Sequence, residues 1–197
     1  MKKIFLFLIL FCSVTYADNH YGLKTGGVAP SFSAKDIDGK TFDLNAELKT
    51  GSVILVFYRG GWCPYCNLQL RDVQTNLLPE TAKYKAQIVA ISVDKPDEGL
   101  LSKGKNELGF RVLTDQDAKI IKLYNLAFTV PKDLVKKYKN EYKIDLEKSS
   151  GRKHHVIAVP AVVVIGTKGK IEYFYANEDY KVRAKNEDVI NALKTAN

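Results

Sequence analysis

Six consecutive apolar residues, Val53-Ile54-Leu55-Val56-Phe57-Tyr58, run without a polar interruption and stop at Arg59-Gly60-Gly61. A run this short, rich in β-branched and aromatic side chains, is a strand buried on both faces, as in a largely parallel sheet covered by helices. Beyond the glycine turn the apolar spacing changes. Cys66, Leu70, Val73 and Leu77 follow at steps of four, three and four, marking one face of a helix. Pro64 belongs in the first helical turn, where its missing N–H costs nothing. Strand, glycine turn and helix thus set Cys63 at a helix N-terminus and Cys66 one turn inside.

The start of the chain reads differently. Lys2 and Lys3 precede an apolar run over residues 4–12, and Thr15-Tyr16-Ala17 offers a small residue for cleavage, the grammar of a signal peptide over residues 1–17. The run falls short of the ~20 apolar residues that cross a bilayer, so no stable membrane anchor is expected. Export, to a periplasmic compartment, leaves residues 18–197 as one domain. Loss of the two lysines lowers the formal charge from +8 to +6. The lysines are spread along the chain, densest over residues 132–153, with no nucleic-acid motif beside them, so a solvated surface is expected rather than a nucleic-acid partner.

Only Cys63 and Cys66 survive that cleavage. A bridge across so short a loop removes little entropy from the unfolded chain, so the pair is read as reactive rather than structural. A thiolate at a helix N-terminus meets free backbone N–H groups and the positive end of the dipole, which lowers its pKa. Cys63 is therefore the nucleophile, and Cys66, within disulfide reach, the resolver. A closed zinc site wants four ligands, and the only clustered nitrogen donors are the adjacent His154 and His155, so neither a metal nor a cofactor is expected. Arg59 either lowers the Cys63 pKa or is solvated. Trp62 either covers the sheet edge or lines a substrate groove, and its place directly before Cys63 favours the groove.

Residues 87–93 form a second apolar run, 100–108 a helix, and 161–165 a third strand. Thr167-Lys168-Gly169-Lys170 turns the chain into a hairpin partner over 171–175, and 187–193 is a terminal helix. The order β-α-β-α-β-β-α is that of an α/β thioredoxin-like fold, a central mixed sheet flanked by helices, with a lysine-rich helical insertion before the third core strand. Val159-Pro160-Ala161 puts Pro160 at the start of that strand, where a cis peptide would leave a backbone face free to pair with an incoming substrate chain.

With these features in place the sequence resembles the peroxiredoxin-like branch of the alkyl hydroperoxide reductase and thiol-specific antioxidant family. The likeness begins at Ala29-Pro30-Ser31-Phe32 and Asp38-Gly39-Lys40. It continues through Phe57-Tyr58-Arg59-Gly60-Gly61-Trp62-Cys63-Pro64-Tyr65-Cys66, Ala90-Ile91-Ser92-Val93-Asp94 and Leu113-Thr114-Asp115 to Asp179-Tyr180-Lys181-Val182-Arg183. The resemblance implies a thiol peroxidase with Cys63 in the peroxide-attacking position, a hydroperoxide substrate and a thioredoxin-like or other thiol reductant. Typical members carry Pro-x-x-x-Thr-x-x-Cys, whereas this chain has Val56 and Gly60 at those positions. Peroxide activation then falls to other donors, such as backbone N–H groups of the turn or the Arg59 guanidinium. An exported thiol:disulfide oxidoreductase is the alternative, supported by the cysteine pair, Pro160 and the export signal. A redox sensor without turnover is a third.

Overall fold

The computed structural model describes residues 21–196, so the expected signal peptide lies outside the described residues. A hairpin of β1 (Ser33–Lys35) and β2 (Thr41–Asp43) leads through α1 (Leu44–Leu48) to β3 (Val53–Phe57). Helix α2 (Pro64–Asp72) continues through a widened turn at Val73–Leu77 into α3 (Leu78–Thr81). Next come β4 (Gln87–Ser92), α4 (Pro96–Lys105), β5 (Arg111–Thr114), α5 (Lys119–Leu123), β6 (Ala127–Thr129), α6 (Lys132–Asn140) and α7 (Leu146–Ser150). The chain ends with β7 (Val156–Ala158), β8 (Ala161–Ile165), β9 (Ile171–Ala176) and α8 (Asn186–Thr195).

Five strands form the central sheet in the order β5-β4-β3-β8-β9. β3 lies in the middle, parallel to β4 with Val53 opposite Gln87 and antiparallel to β8 with Val53 opposite Ile165. Every residue of β3 is buried, as the uninterrupted apolar run requires of a strand covered on both faces. Alternate residues serve two cores. Val53, Leu55 and Phe57 pack with Phe42, Tyr124 and Leu126, while Ile54, Val56 and Tyr58 pack with Cys66, Leu70, Val73, Leu77, Val189 and Leu193. The inward stripe that begins at Cys66 is thereby the helix face that seals the second core.

The structure amends the sequence reading in four places. The sheet has five strands rather than four, because Arg111–Thr114 adds a parallel edge strand beside β4. The helix after the cysteines is not uniformly α-helical. Pro79 cannot donate an N–H and its ring crowds the preceding turn, and the chain widens at Val73–Leu77 while keeping the stripe buried. The helix expected over 100–108 starts earlier, at Pro96 in the first helical position, and leaves Leu100 and Leu101 exposed. Finally, the Val159–Pro160 bond is trans, the favoured isomer, since the described residues contain no cis peptide. Pro160 instead breaks the chain between β7 and β8, and its carbonyl accepts the Asn177 N–H at 3.3 Å. No helix among the described residues is long and apolar enough to cross a membrane.

Candidate active site

β3 delivers the chain to the carboxyl end of the sheet, where residues 58–63 turn back into α2. Gly60 has φ +151, and a Cβ there would lie 2.3 Å from the Trp62 indole Nε1, so the indole occupies the space a side chain would need. This accounts for the missing threonine three residues before Cys63. Gly61 is clamped from three sides. Its N–H donates to Asp94 Oδ2 at 2.8 Å, its carbonyl accepts from Asn67 Nδ2 at 2.8 Å, and a Cβ would meet Ser102 Cβ of α4 at 2.9 Å. The turn is held by buried groups of α2, α4 and the end of β4.

Cys63 is the N-cap of α2 in extended conformation, with Pro64 in the first helical position, as the sequence predicts. Its carbonyl accepts the N–H groups of Cys66 and Asn67, each at 3.1 Å, and its own N–H donates to Gly60 at 3.0 Å. Both cysteines are free thiols and both are buried. The Cys63 thiol is pushed down to about 6, chiefly because the Cys66 thiol hydrogen-bonds to its sulfur; burial opposes this, and the Cys66 backbone N–H, Arg59 and Arg183 assist. Cys66 is pushed the other way, by burial first and then by its partner sulfur. The two thiols are thus unequal, and the helix-terminal one is the thiolate at neutral pH.

Arg59 is not solvated: it is 7% exposed and enclosed by aromatic rings. Its guanidinium carbon sits 4.3 Å from the Tyr180 ring centroid, 5.0 Å from Trp62 and 5.9 Å from Tyr138. Nη2 donates to the Tyr138 hydroxyl and Nη1 reaches Cys63 Sγ at 4.0 Å. Of the turn's backbone donors, those of Gly61 and Cys63 are already spent on Asp94 and Gly60. The guanidinium faces the sulfur beside the Cys66 thiol and backbone N–H. Trp62 and Arg59 both line a cavity of about 400 Å³ over Cys63, with Tyr65, Tyr138, Tyr142 and Tyr180. Pro160 is not in that cavity. It lines an adjoining one of about 260 Å³, with Phe128, Leu134 and Val159, that shares Arg59, Tyr138 and Tyr180 as its wall.

Several residues of the site were not singled out from the sequence. Tyr138 comes from α6 in the lysine-rich segment, where Leu134, Val135 and Tyr138 make an apolar side at helical spacing. Tyr180 and Arg183 lie in the segment between β9 and α8, where Arg183 Nη2 approaches Cys66 Sγ to 3.6 Å and Nη1 donates to Gln69 Oε1 at 3.1 Å. His154 and His155 fasten loops instead. His154 Nε2 donates to the Gln116 carbonyl and Nδ1 accepts from the Val156 N–H, while His155 pairs with Glu147. No cluster of three or more His, Cys, Asp or Glu among the described residues could hold a metal ion.

The profile of the AhpC/TSA family matches residues 25–174, most of the chain and the whole of this turn. The chain belongs to the AhpC/TSA family. Its relatives in that family include peroxiredoxin Bcp of Escherichia coli, 26% identical over 172 residues, which span 87% of this chain and 96% of the relative. Chloroplastic peroxiredoxin Q of Populus jackii is 34% identical over 112 residues, 57% of this chain and 50% of that one. Peroxidoxin BcpB from Mycobacterium tuberculosis shares the fold, with a TM-score of 0.68 at 18% identity over 90% of this chain and 99% of the other. So does Xanthomonas campestris peroxiredoxin Q, with a TM-score of 0.63 at 19% identity over 83% and 90%. By family the protein is a peroxiredoxin, an oxidoreductase of the thiol-peroxidase class.

Proposed function

We propose that Cys63 attacks hydrogen peroxide or an organic hydroperoxide and that Cys66 resolves the product within the same chain. The unequal thiol pair carries this reading: a Cys63 pKa near 6 leaves about nine-tenths of the thiol ionised at pH 7, against a few per cent for an ordinary cysteine. The Cys63 thiolate attacks the O–O bond, and the leaving alkoxide or hydroxide takes a proton to become alcohol or water. Cys63 becomes a sulfenic acid. Cys66 then displaces hydroxide from it, which leaves as water, and the disulfide is returned to two thiols by a thioredoxin-like or other thiol reductant.

Arg59 is the donor that polarises the peroxide in place of the missing threonine hydroxyl, and it is held toward Cys63 by its aromatic enclosure. Trp62 forms the wall of the substrate groove, and Pro160 the floor of its apolar extension. The protein is exported after removal of residues 1–17 and works in the periplasm. Residues 132–153 are a lysine-rich helical insertion whose Tyr138 closes the groove. Reaction of the Cys66→Ser variant with hydrogen peroxide tests the assignment. A dimedone adduct on Cys63 is the expected product, and alkylation that strikes Cys66 first in the wild type would reverse the roles. Rapid reduction of protein disulfides without any such adduct would favour the thiol:disulfide oxidoreductase.

A further inference from the structure

Cys66 has to act as a thiolate in the second step, yet it sits where a thiolate is disfavoured. It is fully buried on the stripe with Leu70 and Val73, and burial is the largest effect raising its pKa. Four groups face its sulfur: Cys63 from the helix cap, the Arg59 backbone N–H from the turn, Tyr58 from the end of β3, and Arg183 from the segment between β9 and α8. Cys63 raises the pKa, while the Arg59 N–H and Arg183 lower it. Tyr58 is itself held neutral by burial.

Resting on the peroxidase reading above, we propose that Arg183 is a catalytic residue of the resolving step, holding the Cys66 sulfur as the thiolate that closes the disulfide. Its Nη2 is 3.6 Å from Cys66 Sγ. Gln69, on the same helix face as Cys66, fixes the guanidinium through a 3.1 Å bond from Nη1. The Nε hydrogen is buried without a partner among the described residues, a cost that a side chain free to swing into water would avoid. In direct reach Arg59 lies on Cys63 and Arg183 on Cys66, while the Arg183 charge is also felt, more weakly than that of Arg59, at Cys63.

The arrangement acts in sequence. In the reduced protein the Cys66 proton is shared toward the Cys63 thiolate, whose charge opposes ionisation of Cys66. Oxidation of Cys63 to the sulfenic acid removes that negative charge, and Arg183, with the Arg59 backbone N–H, then stabilises the Cys66 thiolate. The Cys66 sulfur attacks Cys63 Sγ, the S–S bond forms, the S–O bond breaks, and the hydroxide combines with the proton lost by Cys66 to leave as water.

Trp62 is the only tryptophan of the chain and adjoins Cys63, so stopped-flow fluorescence follows both steps after mixing with hydrogen peroxide. In Arg183→Met the resolving rate constant at pH 7 is expected to fall about tenfold, and its half-maximal pH to rise by about one unit, the equivalent of that factor. Sulfenylation of Cys63 should change less than threefold, and the dimedone adduct should accumulate. Arg183→Lys keeps the charge and should recover most of the rate and profile, while Gln69→Leu, which frees the guanidinium, should fall between. Wild-type resolution in Arg183→Met, or an equal loss in both steps that lysine does not rescue, would overturn the proposal. Failure of Cys66→Ser to form any Cys63 adduct with hydrogen peroxide would instead overturn the peroxidase reading on which it rests.

Discussion

Raising the pH from 5 to 8 should weaken the fold through one side chain, Asp94. This carboxyl is 2% exposed, accepts the Gly61 N–H at 2.8 Å through Oδ2, and has no partner for Oδ1 among the described residues. Burial pushes its pKa up to about 7, against the pull of the Gly61 N–H and the Ser92 hydroxyl. An unfolded aspartate titrates near 3.9, so between about pH 4 and 7 the folded state binds the extra proton and stability falls as pH rises. The full gap of about three units is worth of order 4 kcal/mol, of which about 2.5 kcal/mol falls between pH 5 and 8. Asp94→Asn keeps an acceptor for Gly61 and removes the ionisation. Urea titrations of reduced wild type and variant should show the variant gaining about 2.5 kcal/mol relative to wild type from pH 5 to pH 8, or about 5–10 °C in Tm. Groups common to both proteins cancel. A stability difference that is the same at both pH values would refute the buried, protonated Asp94.

Three further outcomes are expected. Gly60→Ala places a methyl against the Trp62 indole at a φ that side chains avoid, so it should lose about 1–3 kcal/mol and shift the Trp62 emission; an unperturbed spectrum with wild-type stability would contradict the close approach. Alkylation of Cys63 should be half-maximal near pH 6 in the wild type and move to higher pH in Cys66→Ala, since the Cys66 thiol is the main group holding the pKa down; a midpoint that stays put would assign the effect to the helix cap and Arg59 instead. The exported protein should begin at Asp18, and an intact mass that retains residues 1–17 in the membrane fraction would argue for an anchor.

The sequence exposed those parts of the molecule whose physics is local. The apolar run of β3, the stripe from Cys66 to Leu77, the hairpin turn at Gly169 and the terminal helix all depend on neighbours in the chain, and each is where the pattern puts it. The α4 boundary is hidden from the apolar pattern because the buried side of that helix is made by Gly99 and Ser102, small residues that admit Ile37 and Gly61, while its leucines face outward. β5 is four residues long, and its place beside β4 is set by pairing rather than pattern. The site divides in the same way. Cys63, Cys66, Trp62 and Arg59 share one short stretch and are legible, whereas Tyr138, Tyr180, Arg183 and Asp94 reach the turn from three distant segments. Asp94, Tyr180 and Arg183 stand in stretches that carry the family likeness, but no local periodicity or spacing assigns them to the site.

The most direct test of the account is the second-order rate of oxidation of the reduced protein by hydrogen peroxide and by an organic hydroperoxide, read at Trp62. It is compared with a simple thiol corrected for its thiolate fraction, because a thiolate reacts with peroxide unaided and only polarisation of the O–O bond by fixed donors exceeds that background. The expected result is a rate above the corrected thiol for both peroxides, reduced by Arg59→Met and abolished by Cys63→Ser. A rate equal to the corrected thiol, with rapid reduction of insulin disulfides by the same protein, would contradict the peroxidase.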